Sequence, residues 1–112
     1  MKTFDFEKVT FIVGDNAEDN WIILNSSKQS WVWFHLDNLP SPYVILEISL
    51  KKLKKSDLNW KNYINYGCSL CKEHSKFSNQ KVRVMWTLCK NVSRGTKVGE
   101  AIVSGKTNII FL

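Results

Sequence analysis

Three groups of residues in this chain carry side chains with chemical potential. The first is Cys68-x-x-Cys71-x-x-His74, spaced like half of a zinc site. Zinc takes four ligands, with the Cys-x-x-Cys pair on a knuckle and a second pair elsewhere; here Cys89 and His35 are all that is left to complete it. A helical frame explains the two cysteines better, as small buried hydrophobes. A Cys-x-x-Cys lying inside a helix, not opening one, also suits disulfide exchange poorly. The second group is His35 with Cys89 or an acid as a nucleophile pair, and no spacing supports it. The chain has no Gly-rich phosphate loop, no Gly-x-Ser-x-Gly and no His-Glu-x-x-His. Its acids show no paired catalytic spacing. These residues argue against an enzyme and imply no metal and no cofactor.

The third group is cationic. The net charge is +6, unevenly spread: residues 1–50 hold three lysines against seven acids, and residues 51–112 hold thirteen Lys and Arg against three acids. Such a basic half favours a polyanionic partner, nucleic acid before acidic membrane. Lys90, Arg94 and Lys97 form a basic loop after a strand that turns Arg83 outward, and Lys106 follows nearby. Each can neutralise a phosphate, and the amides of residues 93–96 could meet phosphate oxygens. Trp31, Trp33 and His35 share one strand face and could stack bases; the competing expectation is that the long helix covers them.

The elements that must position these groups follow from periodicity. Residues 31–36 and 43–48 are aromatic and β-branched runs separated by a Pro-rich turn, and they read as two strands in the middle of a sheet. Residues 9–13 form a further strand stopped by Gly14. Asn16 or Asp15 caps a short helix through Leu24, with Glu18 and Asp19 in its first turn. Residues 51–55 read as a basic link. Ser56 then caps a long helix over residues 58–77, whose buried face carries Trp60, Ile64, Gly67, Cys68 and Cys71. Gly67 costs that helix about 1 kcal/mol against alanine, which close packing on a sheet would offset. Residues 81–88 alternate as a strand buried on one side. Residues 98–103 and 108–112 read as a hairpin across Ser104-Gly105-Lys106. The expected fold is α+β: a single, largely antiparallel sheet of about six strands, with one long and one short helix packed on it, in one domain spanning 1–112. No apolar run is long enough to span a membrane. An odd count of three cysteines without a signal peptide predicts reduced thiols and a cytoplasmic setting.

Taken in order, Gly14-Asp15-Asn16-x-x-x-Asn20, Trp33-Phe34-His35, residues 41–46, Val84-Met85-Trp86-Thr87, Lys90-Asn91-Val92 and residues 97–101 resemble the NFACT-R domain. That is the RNA-binding-type module of ribosome quality-control proteins, and it also forms the N-terminal part of small eukaryotic coiled-coil homologues. The link Leu36-Asp37-Asn38-Leu39 is similar to the latter, whose charged helical tail is absent here. The resemblance implies a non-catalytic module that binds tRNA or rRNA. It points to Asn16, Asn20, Trp33, His35, Lys90, Asn91 and Lys97. The chain departs from the family pattern at Asp15, where a basic residue is usual, at Trp31, where Asp is usual, and at Ser41-Pro42-Tyr43, where a histidine is usual. The function expected is RNA binding through Lys90, Arg94, Lys97, Arg83 and Lys106, with Trp33 and His35 at a base and a ribosome or tRNA complex as the setting. The alternatives are DNA binding and a protein adaptor that uses the aromatic sheet face. The oligomeric state is left open.

Overall fold

Apolar side chains alternate with Trp33 and His35 along strand β3 (Val32–Leu36), and both of its faces are covered. A computed structural model describes all of residues 1–112. In it β1 (Lys2–Phe6), β2 (Val9–Val13), β3, β4 (Val44–Leu46), β5 (Arg83–Leu88) and β8 (Asn108–Phe111) form a six-stranded sheet. The order is β1-β2-β4-β3-β5-β8, every pairing is antiparallel, and β4 and β3 lie at the centre as expected. β6 (Val92–Arg94) and β7 (Ala101–Val103) form a separate two-stranded sheet. Three helices complete the fold: α1 (Ala17–Ser26), α2 (Leu50–Ser56) and α3 (Lys61–Glu73).

The sheet separates two apolar layers. On one side Phe11, Val32, Phe34 and Val84 pack against Tyr63, Ile64, Cys68 and Cys71 of α3 and Leu53 of α2. On the other, Ile12, Trp33, Tyr43 and Ile45 pack against Ile23 and Leu24 of α1, with Val92, Ala101 and Val103 of the small sheet at the margin. Ile64, Gly67, Cys68 and Cys71 lie on the buried face of α3 as read from the sequence, joined by Tyr63 and Leu70, whereas Trp60 precedes the helix; Gly67 has the close approach it required. A Cβ there would stand 2.4 Å from the Phe34 ring. Asn16 caps α1, its side chain accepting from the Asp19 N–H at 2.8 Å.

Four expectations need correction. The basic link is helix α2, capped by Ser49, whose Oγ accepts from the Lys52 N–H. Leu50 and Leu53 anchor it to the core at helical spacing. Ser56 and Asp57 therefore end α2 and do not open α3, which starts after Trp60 and stops at Glu73. There are thus three helices and not one long and one short. The hairpin across Ser104–Lys106 does not form: β7 returns to β6, and β8 crosses to pair with β5. Strand β1 went unread because its two-residue turn is Glu7-Lys8, both at positive φ, where Asn-Gly is the usual signal.

Gly67→Ala is expected to destabilise the protein by about 1–3 kcal/mol through overpacking, against the ~1 kcal/mol that alanine gains in helix propensity. Urea unfolding measures the sign; a stabilised variant would mean that the Phe34 ring moves freely.

Candidate nucleic-acid interface

The residues singled out from the sequence fall in three places. Trp33 is 1% exposed. It stacks on His35, ring centroids 5.5 Å apart, and meets Tyr43 edge-on at 5.4 Å. It is core, and it cannot stack a base as expected. The layer that seals it is α1 with the small sheet, not the long helix, which lies on the opposite face.

His35 lines a polar cleft of about 570 Å³ at one end of the sheet, together with Gly14, Asn16, Asn20, Ser41 and His74. Burial holds its imidazole below the ordinary value of 6.5, partly offset by hydrogen bonds to the Leu36 and Ser41 backbone and by the Asp37 charge. Its Nδ1 lies 2.7 Å from the Leu36 carbonyl, so the neutral ring donates there. Asn20 is buried. Its Oδ1 accepts from the Tyr43 N–H at 3.0 Å and its Nδ2 donates to the Ser41 carbonyl at 3.5 Å. Asn20 thus fastens α1 to the loop before β4, while Asn16 caps the same helix. Arg83 stands at this end too, 3.4 Å from Asp37 and over the Phe111 ring.

Lys90, Asn91 and Lys106 meet at the other end of the sheet. There the register pairs the start of β3 with the end of β5, Val32 opposite Leu88. The Cys89 N–H donates to the Trp31 carbonyl and the Lys90 N–H to the Gln29 carbonyl, which holds a short 3-10 turn (Cys89–Asn91) across the strand end. Asn91 Nδ2 donates to Thr87 Oγ1 at 2.9 Å, and Thr87 Oγ1 donates to the Lys106 carbonyl at 2.7 Å. Asn91 is therefore a fastener that sets Lys106 beside Lys90.

Lys90 and Lys106 are two of five lysines around one groove. α2 contributes Lys51 and Lys54, which share a side of the helix at i and i+3. α3 contributes Lys61, next to Trp60, and β5 contributes Trp86. The Lys54 ammonium stands 4.5 Å from the Trp60 ring centroid and that of Lys61 5.8 Å. The main cleft is about 570 Å³, and no Asp or Glu lines it or its extension past Lys51. None of the five lysines is in an ion pair. Sequence reading missed Lys51, Lys54, Lys61 and Trp60. The available signal was Ser49 three residues ahead of Lys52, an N-cap spacing.

The basic loop is less open than its sequence implies. Gly95 N–H donates to the Glu100 carbonyl and Thr96 N–H to the Glu100 carboxylate. Those two amides are turned inward to Glu100, not out to a phosphate; the Thr96 amide, with the Lys97 amide and the Thr96 hydroxyl, holds the Glu100 carboxyl below the usual range. Arg94 lies over Trp21, 5.2 Å from the ring centroid, and borders a further depression that also reaches Lys90. Lys97 is exposed on the turn beyond. The cysteines are core: burial pushes the Cys68, Cys71 and Cys89 thiols up to about 12.

A basic, acid-free groove with indole rings in its lining, at the end of an antiparallel sheet covered on both faces, has the charge that suits a polyanion. The sequence matches the model of the NFACT protein RNA binding domain over residues 2–110. The chain belongs to that family. No curated protein matches it at a significant level. A solved structure described as the C-terminal part of the fibronectin/fibrinogen-binding protein from Streptococcus suis superimposes on 94% of this chain with a TM-score of 0.77, at 21% sequence identity. The chain spans 41% of that chain's length, and the likeness is one of fold.

Because His35 binds its proton less readily folded than unfolded, the unfolded state is protonated first on acidification. The stability contributed by the neutral ring is complete above 6.5 and falls as pH drops through that value. His35→Gln should flatten the decline in unfolding free energy between about pH 7 and 5; equal slopes in the two proteins would refute the assignment.

Proposed function

We propose that this chain binds RNA through the groove between α2, the start of α3 and the β5–β8 edge. One observation carries the reading: five unpaired lysines ring a concave site that contains two indoles and no acid, in a chain of an RNA-binding domain family. The lysines neutralise backbone phosphates and release condensed counterions, which supplies most of the affinity. RNA is preferred to DNA on the family's description. The module acts without catalysis, as a tRNA- or rRNA-binding unit in a translation or ribosome quality-control setting, and within the cytoplasm. The family resemblance supports that setting.

The earlier site set is redistributed in this reading. Lys90 and Lys106 touch phosphate, and Arg94 extends the track. Asn91, Asn20 and Asn16 hold the elements together, and Arg83 is engaged with Asp37.

Filter binding across a salt series tests this. With all five lysines engaged on a single strand, log K should fall against log salt with a slope of about −3.5, at roughly −0.7 per contact. Lys54→Glu with Lys90→Glu should weaken binding strongly and reduce the slope by about 1.4. Lys72→Glu with Lys76→Glu, toward the other end of α3, should leave it nearly unchanged. A flat salt slope, or equal losses in the two double variants, would remove the groove from the account.

A further inference from the structure

The groove does not stop at the edge of the layer that holds Trp60. Lys90 lines it on the α2–α3 side and also lines the depression bordered by Arg94 and Ser27 on the α1 side. The basic track therefore turns around the end of the sheet, from one face to the other, with Lys90 at the corner. The whole molecule measures 37 × 30 × 26 Å. A duplex is stiff on that scale, with a persistence length of about 50 nm for DNA, and bending it around such a corner is costly. A single strand is flexible enough to follow the turn.

The floor of the track gives a second reason. Trp60 and Trp86 are half-buried, seated on the α3-side core, with the rest of each indole lining the groove. A duplex keeps its base faces stacked on one another and has nothing to offer an indole. An unpaired base has a free π-face. On the far side of the corner Arg94, seated over the Trp21 ring, adds a further cation to the border of the depression.

Resting on the RNA-binding reading above, we infer that the ligand of this groove is a single-stranded RNA segment that bends around the sheet end at Lys90 and lays an unpaired base on Trp60 or Trp86. The ammonium of Lys54, which now covers Trp60, moves to a phosphate when the base arrives. Recognition is then by strandedness and not by sequence, because every base offers a stacking face.

Fluorescence anisotropy with the full chain tests this on three probes of one length: a labelled oligouridylate, its blunt duplex with oligoadenylate, and an abasic strand that keeps the phosphates. The oligouridylate should bind at least tenfold more tightly than either other probe at the same salt. Trp60→Leu and Trp86→Leu together should lower its affinity by roughly five- to a hundredfold, the range for losing one base–aromatic stack, with the salt slope unchanged. Trp60→Phe and Trp86→Phe keep a ring, and should retain most of the binding; these variants guard against a leucine variant that folds poorly, as judged by thermal melting. Equal binding of strand and duplex, or of wild type and a folded leucine variant, overturns the inference while the lysine variants still report on RNA binding itself. If Lys54→Glu with Lys90→Glu binds oligouridylate like wild type, the RNA-binding reading and this inference both fall.

Discussion

Strand β3 has no side in water, and the rest of the molecule is arranged around that. Val32, Phe34 and Leu36 need an apolar cover on one face, and Trp33 needs one on the other. The first cover is α3, brought in at Gly67 until backbone nearly touches the Phe34 ring. The second is α1, tied down by Asn20, whose carboxamide bonds both the Tyr43 amide and the Ser41 carbonyl. A buried Asn left without these partners would cost about 1–3 kcal/mol, so these bonds help to fix the α1 layer alongside its apolar contacts. Once both faces are closed, any ligand must be met at the ends or edges of the sheet.

Charge is sorted by the same geometry. Asp15 and Asp19 meet the amino terminus, and Asp15 also takes Lys2 at 2.8 Å. The Lys2 and amino-terminal hydrogen bonds hold the Asp15 carboxyl down at about 2. Asp37 takes Arg83, and Glu100 accepts from the amide of its own turn. These acids are consumed close to home, in contacts that are exposed and individually weak. Lys2 and Arg83 are the cationic side chains so engaged, and the five lysines of the groove are left without an ion pair.

Several polar residues that suggested recognition turn out to be fasteners. Asn91 and Thr87 fix the crossing of the chain from the small sheet to the edge strand β8, through the Lys106 carbonyl. Tyr43 reaches the Gly99 carbonyl at 2.7 Å, and Trp21 the Glu100 carbonyl at 3.0 Å, which pins the small sheet over Trp33. Many residues that carry the family resemblance, Gly14, Asn16, Asn20 and His35 among them, collect at the end of the sheet opposite the lysine groove.

The sequence by itself determined the local pieces: the central pair of strands, a cap at Asp15 or Asn16, the small-residue face of α3, the excess of cations after residue 50, and the family. Each is set by side-chain period, by a cap within three residues, or by composition, all of which act along the chain. It could not show that α2 is a helix resting on Leu50 and Leu53, since seven residues with one lysine pair on either side of Leu53 hold a helix only when the core receives that face. Nor could it show where β7 and β8 go, because Ser104-Gly105 suits a hairpin and a crossing equally well, and the choice is made by Asn91 and Thr87. The groove was the least legible part. Its lysines come from α2, α3, a 3-10 turn and a loop, and side chains that far apart in the chain become neighbours only after the sheet register and both helical layers are in place. Trp33 was misread for the same reason: its strand face could be assigned from alternation, but whether that face met water or a second layer was decided by α1 and the small sheet packing over it.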